Sequence, residues 1–140
     1  MTKFKTEFLT LLMIAVSVMG CTASNNFSKY EGKWALDIDS TMSEIVALRL
    51  DVPAASLADM REALMQQSPQ MNIKKEEIQI TLKDATSKLD AKLMSQSGDC
   101  GVILVGSKHQ MQYCISGIYL RIKNMNSDKT TITEVYKRVN

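Results

Sequence analysis

The sequence predicts an α+β domain: an antiparallel meander sheet, curved into a partial barrel, with a helical segment inserted after the first strand. Three observations predict it. Apolar and polar residues alternate in short runs from Ile78 to Val139, the period of strands that show one face to a core. The connections between these runs are a few residues long, which permits antiparallel neighbours and leaves no room for crossovers. Between residues 42 and 67 the apolar spacing changes to three and four, the period of a helix packed on one side.

The first strand is Tyr30 to Asp39. Tyr30, Trp34, Leu36 and Ile38 share one parity with Gly32 between them, while Lys33, Asp37 and Asp39 take the other. Ser40 and Thr41 are candidate caps, and Thr41-Met42-Ser43-Glu44 has the spacing of a capping box. Met42, Ile45 and Leu48 fall on one helical face. Asp51-Val52-Pro53 interrupts the pattern, so the segment is one kinked helix or two short ones, with the second part predicted to start after Ser56. Leu48, Leu57, Met60 and Leu64 are expected to pack onto the sheet, and Gln66-Gln67-Ser68-Pro69 ends the helix because a residue before proline disfavours the α region. The later strands follow in order. Ile78-Ile80-Leu82 and Leu89-Ala91-Leu93 alternate with polar neighbours around the turn Asp84 to Ser87. Cys100 to Val105 is a nearly continuous apolar run before Gly106-Ser107-Lys108. Met111-Tyr113-Ile115 and Ile118-Leu120-Ile122 alternate again, and Thr130 to Val139 is the last strand. Six or seven strands are readable in this way.

The start of the chain carries an address. Lys3 and Lys5 precede an apolar run from Phe8 to Met19, of secretory length and too short to span a bilayer comfortably. It leads into Val18-Met19-Gly20-Cys21, which resembles the lipobox of bacterial lipoproteins. That resemblance implies cleavage before Cys21 and transfer of a diacylglycerol to its thiol, with three acyl chains such as palmitate in all, enough for stable anchoring. It divides the chain into a signal peptide (1–20), the lipidated Cys21 with a polar tether (21–29), and a single globular domain (30–140). Thr22, rather than Asp, follows the cysteine, which favours the outer membrane facing the periplasm over retention at an inner membrane. Loss of Lys3, Lys5 and Glu7 takes the formal net charge from +2 to +1, and no basic run remains, so nucleic acid is not an expected partner.

Gly32-Lys33-Trp34 resembles the Gly-x-Trp signature on the first strand of lipocalin-like proteins. In that family the Trp plugs one end of an up-and-down barrel and an Arg from the last strand lies over it. The resemblance gives Trp34 the plug and Arg138 the cover. The helical segment after the first strand and the count of six or seven strands depart from the family, hence the expectation of a partial barrel.

Cys100 and Cys114 are the thiols left once Cys21 is modified, and an oxidising compartment favours joining them. Their midpoint is Ser107, so a three-residue hairpin loop sets them face to face, with Val102 opposite Gln112. A shift of one residue would set Val102 against Met111 and throw the cysteines onto opposite faces; a bulge near Gly101 or Gly106 would reconcile the two.

The remaining chemistry is sparse. His109, the one histidine, sits beside a hairpin tip and reads as a turn residue. Asp37 and Asp39 read as the solvated face of a strand. Met42, Met60, Met65, Met71, Met94, Met111 and Met125 are dispersed at helix and strand spacing, which suits core filling better than Cu(I) binding. No metal set, no glycine-rich phosphate loop and no nucleophile with base and acid is visible. The expectation is a protein without cofactor that is not an enzyme: a cell-envelope binding or interaction module. It is held to the membrane through Cys21 and takes either a protein or a small apolar ligand. The alternative is a periplasmic inhibitor or assembly accessory acting through its hairpin loops, chiefly Gly106 to His109.

Overall fold

A computed structural model of the chain describes residues 27–48, 51–125 and 132–140. Eight antiparallel strands follow one another around a closed barrel: β1 (Gly32–Leu36), β2 (Gln70–Lys74), β3 (Glu77–Leu82), β4 (Ala85–Ser97), β5 (Cys100–Val105), β6 (His109–Ser116), β7 (Tyr119–Asn124) and β8 (Thr133–Val139). The meander order is the expected one. The sheet is closed rather than partial, because Lys33 to Leu36 of β1 pair with Val139 to Tyr136 of β8. The closing piece is β2, which pairs with both β1 and β3. Full closure removes both unpaired sheet edges.

Two helices connect β1 to β2: α1 (Ile38–Ala47) and α2 (Ala54–Gln67). The break between them corresponds to the interruption read at Asp51 to Pro53, and α2 starts at Ala54 rather than after Ser56. The N-cap of α1 is Asp37, whose carboxylate accepts from the Ser40 amide at 3.1 Å. The first strand therefore ends at Leu36, and Asp37 and Asp39 are not neighbours on a strand face. Asp39 lies in the first turn of α1 and pairs with Arg61 of α2 at 2.6 Å.

It is α1 that docks. Thr41, Met42 and Ile45 are buried on the outside of the β7–β8 wall, over the buried Val135. Past the Leu36–Tyr136 pair β8 has no strand beside it on this side. The start of α1 substitutes: the Asp37 amide donates to the Val135 carbonyl at 2.7 Å, and the Thr41 hydroxyl accepts from the Val135 amide at 3.0 Å and donates to the same carbonyl at 3.4 Å. Arg121 on the outer face of β7 pairs with Glu44. By contrast α2 has no fully buried residue and packs chiefly on α1. Leu57, Met60 and Leu64 are half-buried and Leu48 is exposed. The helical face expected on the sheet thus belongs to α1 alone, and truncating Leu64 removes a half-buried side chain rather than a core one.

Inside the barrel, Tyr30, Trp34, Met71, Ile73, Ile78, Ala91, Ile103, Val105, Tyr113, Leu120, Ile122 and Tyr136 form one apolar core. Tyr30 belongs to a 3-10 helix, Phe27–Tyr30, that enters under one end of the barrel. Phe27 packs against the same core and Lys29 donates to the Gly98 carbonyl at 2.8 Å. Residues 27–29, read as the end of the tether, are therefore part of the barrel. Cys21 and the rest of the tether lie outside the described residues.

Candidate functional site

The two ends of the barrel are built differently. The end entered by the 3-10 helix is plugged. Trp34 is 1% exposed, and its indole N–H donates to the Tyr30 carbonyl at 2.9 Å. Arg138, directly opposite Trp34 in the ladder, holds its guanidinium carbon 4.2 Å from the indole centroid and donates to the Glu31 carbonyl at 3.0 Å. The two residues named for plug and cover thus meet. Gly32 explains the glycine of the Gly-x-Trp run: its φ is +133°, and a Cβ there would lie 2.6 Å from the Arg138 guanidinium. The cation occupies the space of the missing side chain. Gly101 does the same for Tyr30, whose hydroxyl would be 2.8 Å from a Cβ at that position.

At the other end four of the eight inward-facing rows grow more exposed, while Val105 of β5 and Met71 of β2 stay buried. Along β3 the row runs from buried Ile78 through half-buried Ile80 to Leu82, which is 41% exposed. Along β4 it runs from buried Ala91 to Leu89 at 36%. On β6 buried Tyr113 gives way to half-buried Met111 and exposed His109. On the β8 side it passes from buried Tyr136 to exposed Glu134 and on to Ile132 at 38%. These four rows place exposed apolar side chains at one end of the barrel, the end where the helices join β1 to β2.

The acidic group on these rows is Glu134. Its partner across the ladder is Ile122, which is itself opposite Tyr113, so Glu134 points inward above the core. The Tyr136 hydroxyl donates to its carboxylate at 3.4 Å. Loss of water pushes the Glu134 carboxyl above the usual carboxylate range, and the Tyr136 hydrogen bond only partly offsets this. Burial pushes both tyrosine hydroxyls far up, with the Glu134 charge adding to it, so they remain protonated donors. Tyr30 and Tyr113 meet edge to face, with ring centroids 6.1 Å apart. Tyrosine rings thus run from the plug to the carboxylate.

Comparison of the chain with protein-family models and with curated proteins found no match.

Of the other candidate residues, the cysteines lie away from this end and His109 and Met111 lie on one of its rows. Cys100 and Cys114 are disulfide-bonded and directly opposite in the β5–β6 ladder, with Val102 facing Gln112. The unshifted register holds because the inward partners are Gly101 with Tyr113 and Ile103 with Met111; the bulge lies instead in β4, between Leu93 and Ser95. The bond sits on the outer wall at the plugged end, five ladder pairs from the Val105–His109 tip, and so does not staple that tip. His109 is at the rim of the end that carries the helices, at inward parity and exposed. Met42 and Met71 are buried, whereas Met65, Met94 and Met125 are exposed. Among the described residues no group of three His, Cys, Asp or Glu is placed to hold a metal ion.

Glu134 was missed in the sequence. A signal was present: within the last strand Glu134 shares parity with Tyr136 and Arg138. An acidic residue on the row that covers the plug Trp is a carboxylate aimed into a barrel.

A carboxyl that loses water on folding leaves a signature in stability. It binds its proton more tightly folded than unfolded, so its contribution is complete below the ordinary carboxylate range and is lost as pH rises through the raised folded value. Glu134→Gln removes this titration. The variant is expected to melt above the wild type at pH 7, with the difference vanishing below about pH 4, where the carboxyl is protonated in both states. Thermal unfolding followed by circular dichroism at several pH values measures this. A variant that melts lower at pH 7 would show the carboxylate to be structural.

Proposed function

We propose that this protein is a lipid-anchored envelope lipoprotein whose barrel binds a small, largely apolar ligand through its open end, without catalysing a reaction. The observation that carries the binding reading is the exposure gradient of four inward rows, which we read as the wall of a funnel: plugged at Trp34, exposed and apolar at Leu82, Leu89 and Ile132. Small-ligand sites are concave, mostly apolar and furnished with a few placed polar groups, and mouths of β-barrels are a recurrent location. Glu134 and Tyr136 supply the polar part. The lipocalin-like resemblance of Gly32-Lys33-Trp34, with Arg138 over the indole, agrees with this use of an eight-stranded barrel. The membrane reading rests on Val18-Met19-Gly20-Cys21.

The hairpin-tip alternative is weaker. Ser107, Lys108, His109 and Gln110 are polar and exposed, without the buried aromatic anchors that dominate protein interfaces.

The test uses the neutral fluorophore N-phenyl-1-naphthylamine, which brightens in apolar surroundings. Purified protein is expected to enhance its emission saturably. Leu89→Glu, which places a charge on the funnel wall, is expected to lower the affinity at least tenfold while leaving the far-ultraviolet dichroism unchanged. No saturable signal, or equal binding by the variant, would refute the reading.

A further inference from the structure

Resting on the lipid-anchor reading above, we propose that the plugged end of the barrel beds on an anionic phospholipid surface through a patch formed by Ile118, Tyr119 and Val139 with Lys33 and Lys137. The three apolar residues are 49%, 36% and 46% exposed, and the fold brings them together. The Arg138 amide donates to the Ile118 carbonyl at 2.8 Å, which sets Ile118 beside the last two residues of β8. Tyr119 lies opposite Lys137, and Val139 lies opposite Lys33. Tyr119, Lys137, Val139 and Lys33 share the outward parity, because Leu120, Tyr136 and Trp34 fill the inward positions. On this wall α1 docks higher up, over Val135, and leaves the patch bare.

Charge and chain length identify what meets it. The outward positions of β7, β8 and β1 hold Arg121, Lys123, Lys137 and Lys33 and no carboxylate. Glu44 of α1 pairs with Arg121, while no ion pair among the described residues engages Lys33 or Lys137. The carboxylates of this end, Glu31, Glu76, Glu77 and Asp99, lie on the lead into β1, at the β2–β3 turn and at the β4–β5 turn. A second copy docked through the same patch about a twofold axis would set lysines against lysines. An anionic membrane attracts them, and a tyrosine ring with aliphatic neighbours suits the level of the headgroups. The chain itself delivers the patch to that surface. It enters the barrel at the plugged end, where Phe27 packs on the core. Cys21 stands six positions earlier, a reach of about 20 Å at full extension. A bilayer that holds Cys21 therefore lies against the patch, and the end that carries the helices is turned away from it.

The experiment uses the full chain, matured in a bacterial host and extracted from its membranes in detergent. It is reconstituted into vesicles of phosphatidylethanolamine and phosphatidylglycerol whose brominated acyl chains quench tryptophan. Ile118→Trp and Leu82→Trp each add one indole, at the plugged end and at the opposite end, and the buried Trp34 of the wild type supplies the baseline. Circular dichroism establishes that each variant is folded. The added emission of Ile118→Trp is expected to fall at least twofold relative to unbrominated vesicles, and that of Leu82→Trp by less than a tenth. Adding Lys33→Glu and Lys137→Glu to Ile118→Trp, or using vesicles of brominated phosphatidylcholine alone, is expected to halve the quenching or better. Equal quenching at the two positions, none at Ile118→Trp, or quenching unchanged by charge reversal and by neutral lipid would overturn the contact. Where mass analysis of the same sample finds Cys21 acylated, the anchor reading then still stands. Cys21 without acyl chains would overturn both.

Discussion

Trp34→Ala is expected to destabilise the protein by about 3–5 kcal/mol, the usual range for removing a buried large aromatic. Native domains have only about 5–15 kcal/mol in total, so the variant sits near its limit at body temperature. Three losses combine. A fully buried indole leaves a cavity at the plugged end. The Tyr30 carbonyl loses its donor, and an unsatisfied buried acceptor costs about 1–3 kcal/mol by itself. The Arg138 guanidinium loses the ring face beneath it, worth about 0.5–2 kcal/mol. Urea unfolding of the wild type, Trp34→Ala, Arg138→Ala and the double variant separates the last contribution. The double variant should be less destabilised than the sum of the singles, because the residues touch. A loss below about 1 kcal/mol for Trp34→Ala would mean that the indole does not close the barrel.

Replacing Cys100 and Cys114 together by Ser is expected to cost about 3 kcal/mol. The bond joins residues 14 apart, and the chain-entropy model gives about that value for a loop of this length. The cost arises mainly in the unfolded chain, since the two cysteines face each other across an ordinary ladder pair. The folded barrel should therefore keep its dichroism spectrum and its ligand affinity while its denaturation midpoint falls. Thiol titration of the denatured, unreduced wild type is expected to find neither Cys100 nor Cys114 free. Two reactive thiols there would refute the bond.

Much of the barrel was legible because alternation is a local signal. Ile78-Ile80-Leu82, Met111-Tyr113-Ile115 and Ile118-Leu120-Ile122 announce which side faces inward without any knowledge of the partner strands. Closure was not legible, and β2 shows why. Gln70-Met71-Asn72-Ile73-Lys74 has only two apolar residues in five positions, too few to stand out as a period, yet both are buried and this strand completes the ring. The reading of β1 ran too far for a related reason. Ile38 continues the parity of Leu36, but Asp37 caps a helix through its side chain, and a local hydrogen bond of that kind overrides a pattern of two. The helices were placed correctly between the first two strands, but their packing was misjudged: spacing identified a face on each, and only tertiary contact decides that α1 covers β8 while α2 leans on α1. For the site, Trp34 and Arg138 were accessible through a known signature. Glu134 was not, since a single charged residue in a strand is ordinary until its row is known to face inward.

The seam between the first and last strands has a kinetic consequence. Glu31 and Arg138, hydrogen-bonded across it, are 107 positions apart in the chain. Every other ladder joins consecutive strands, so hairpins zip from β2 to β8 with little loop to close. The seam alone requires the whole length to be gathered, and contacts of such separation slow folding. Until it forms, β1 and β8 present bare edges, and the plug, its arginine and Glu134 have nothing to enclose. The rate of that one pairing therefore sets how long the chain is open to association with other copies of itself, and slowing it is the expected route by which substitutions far from the mouth reduce yield.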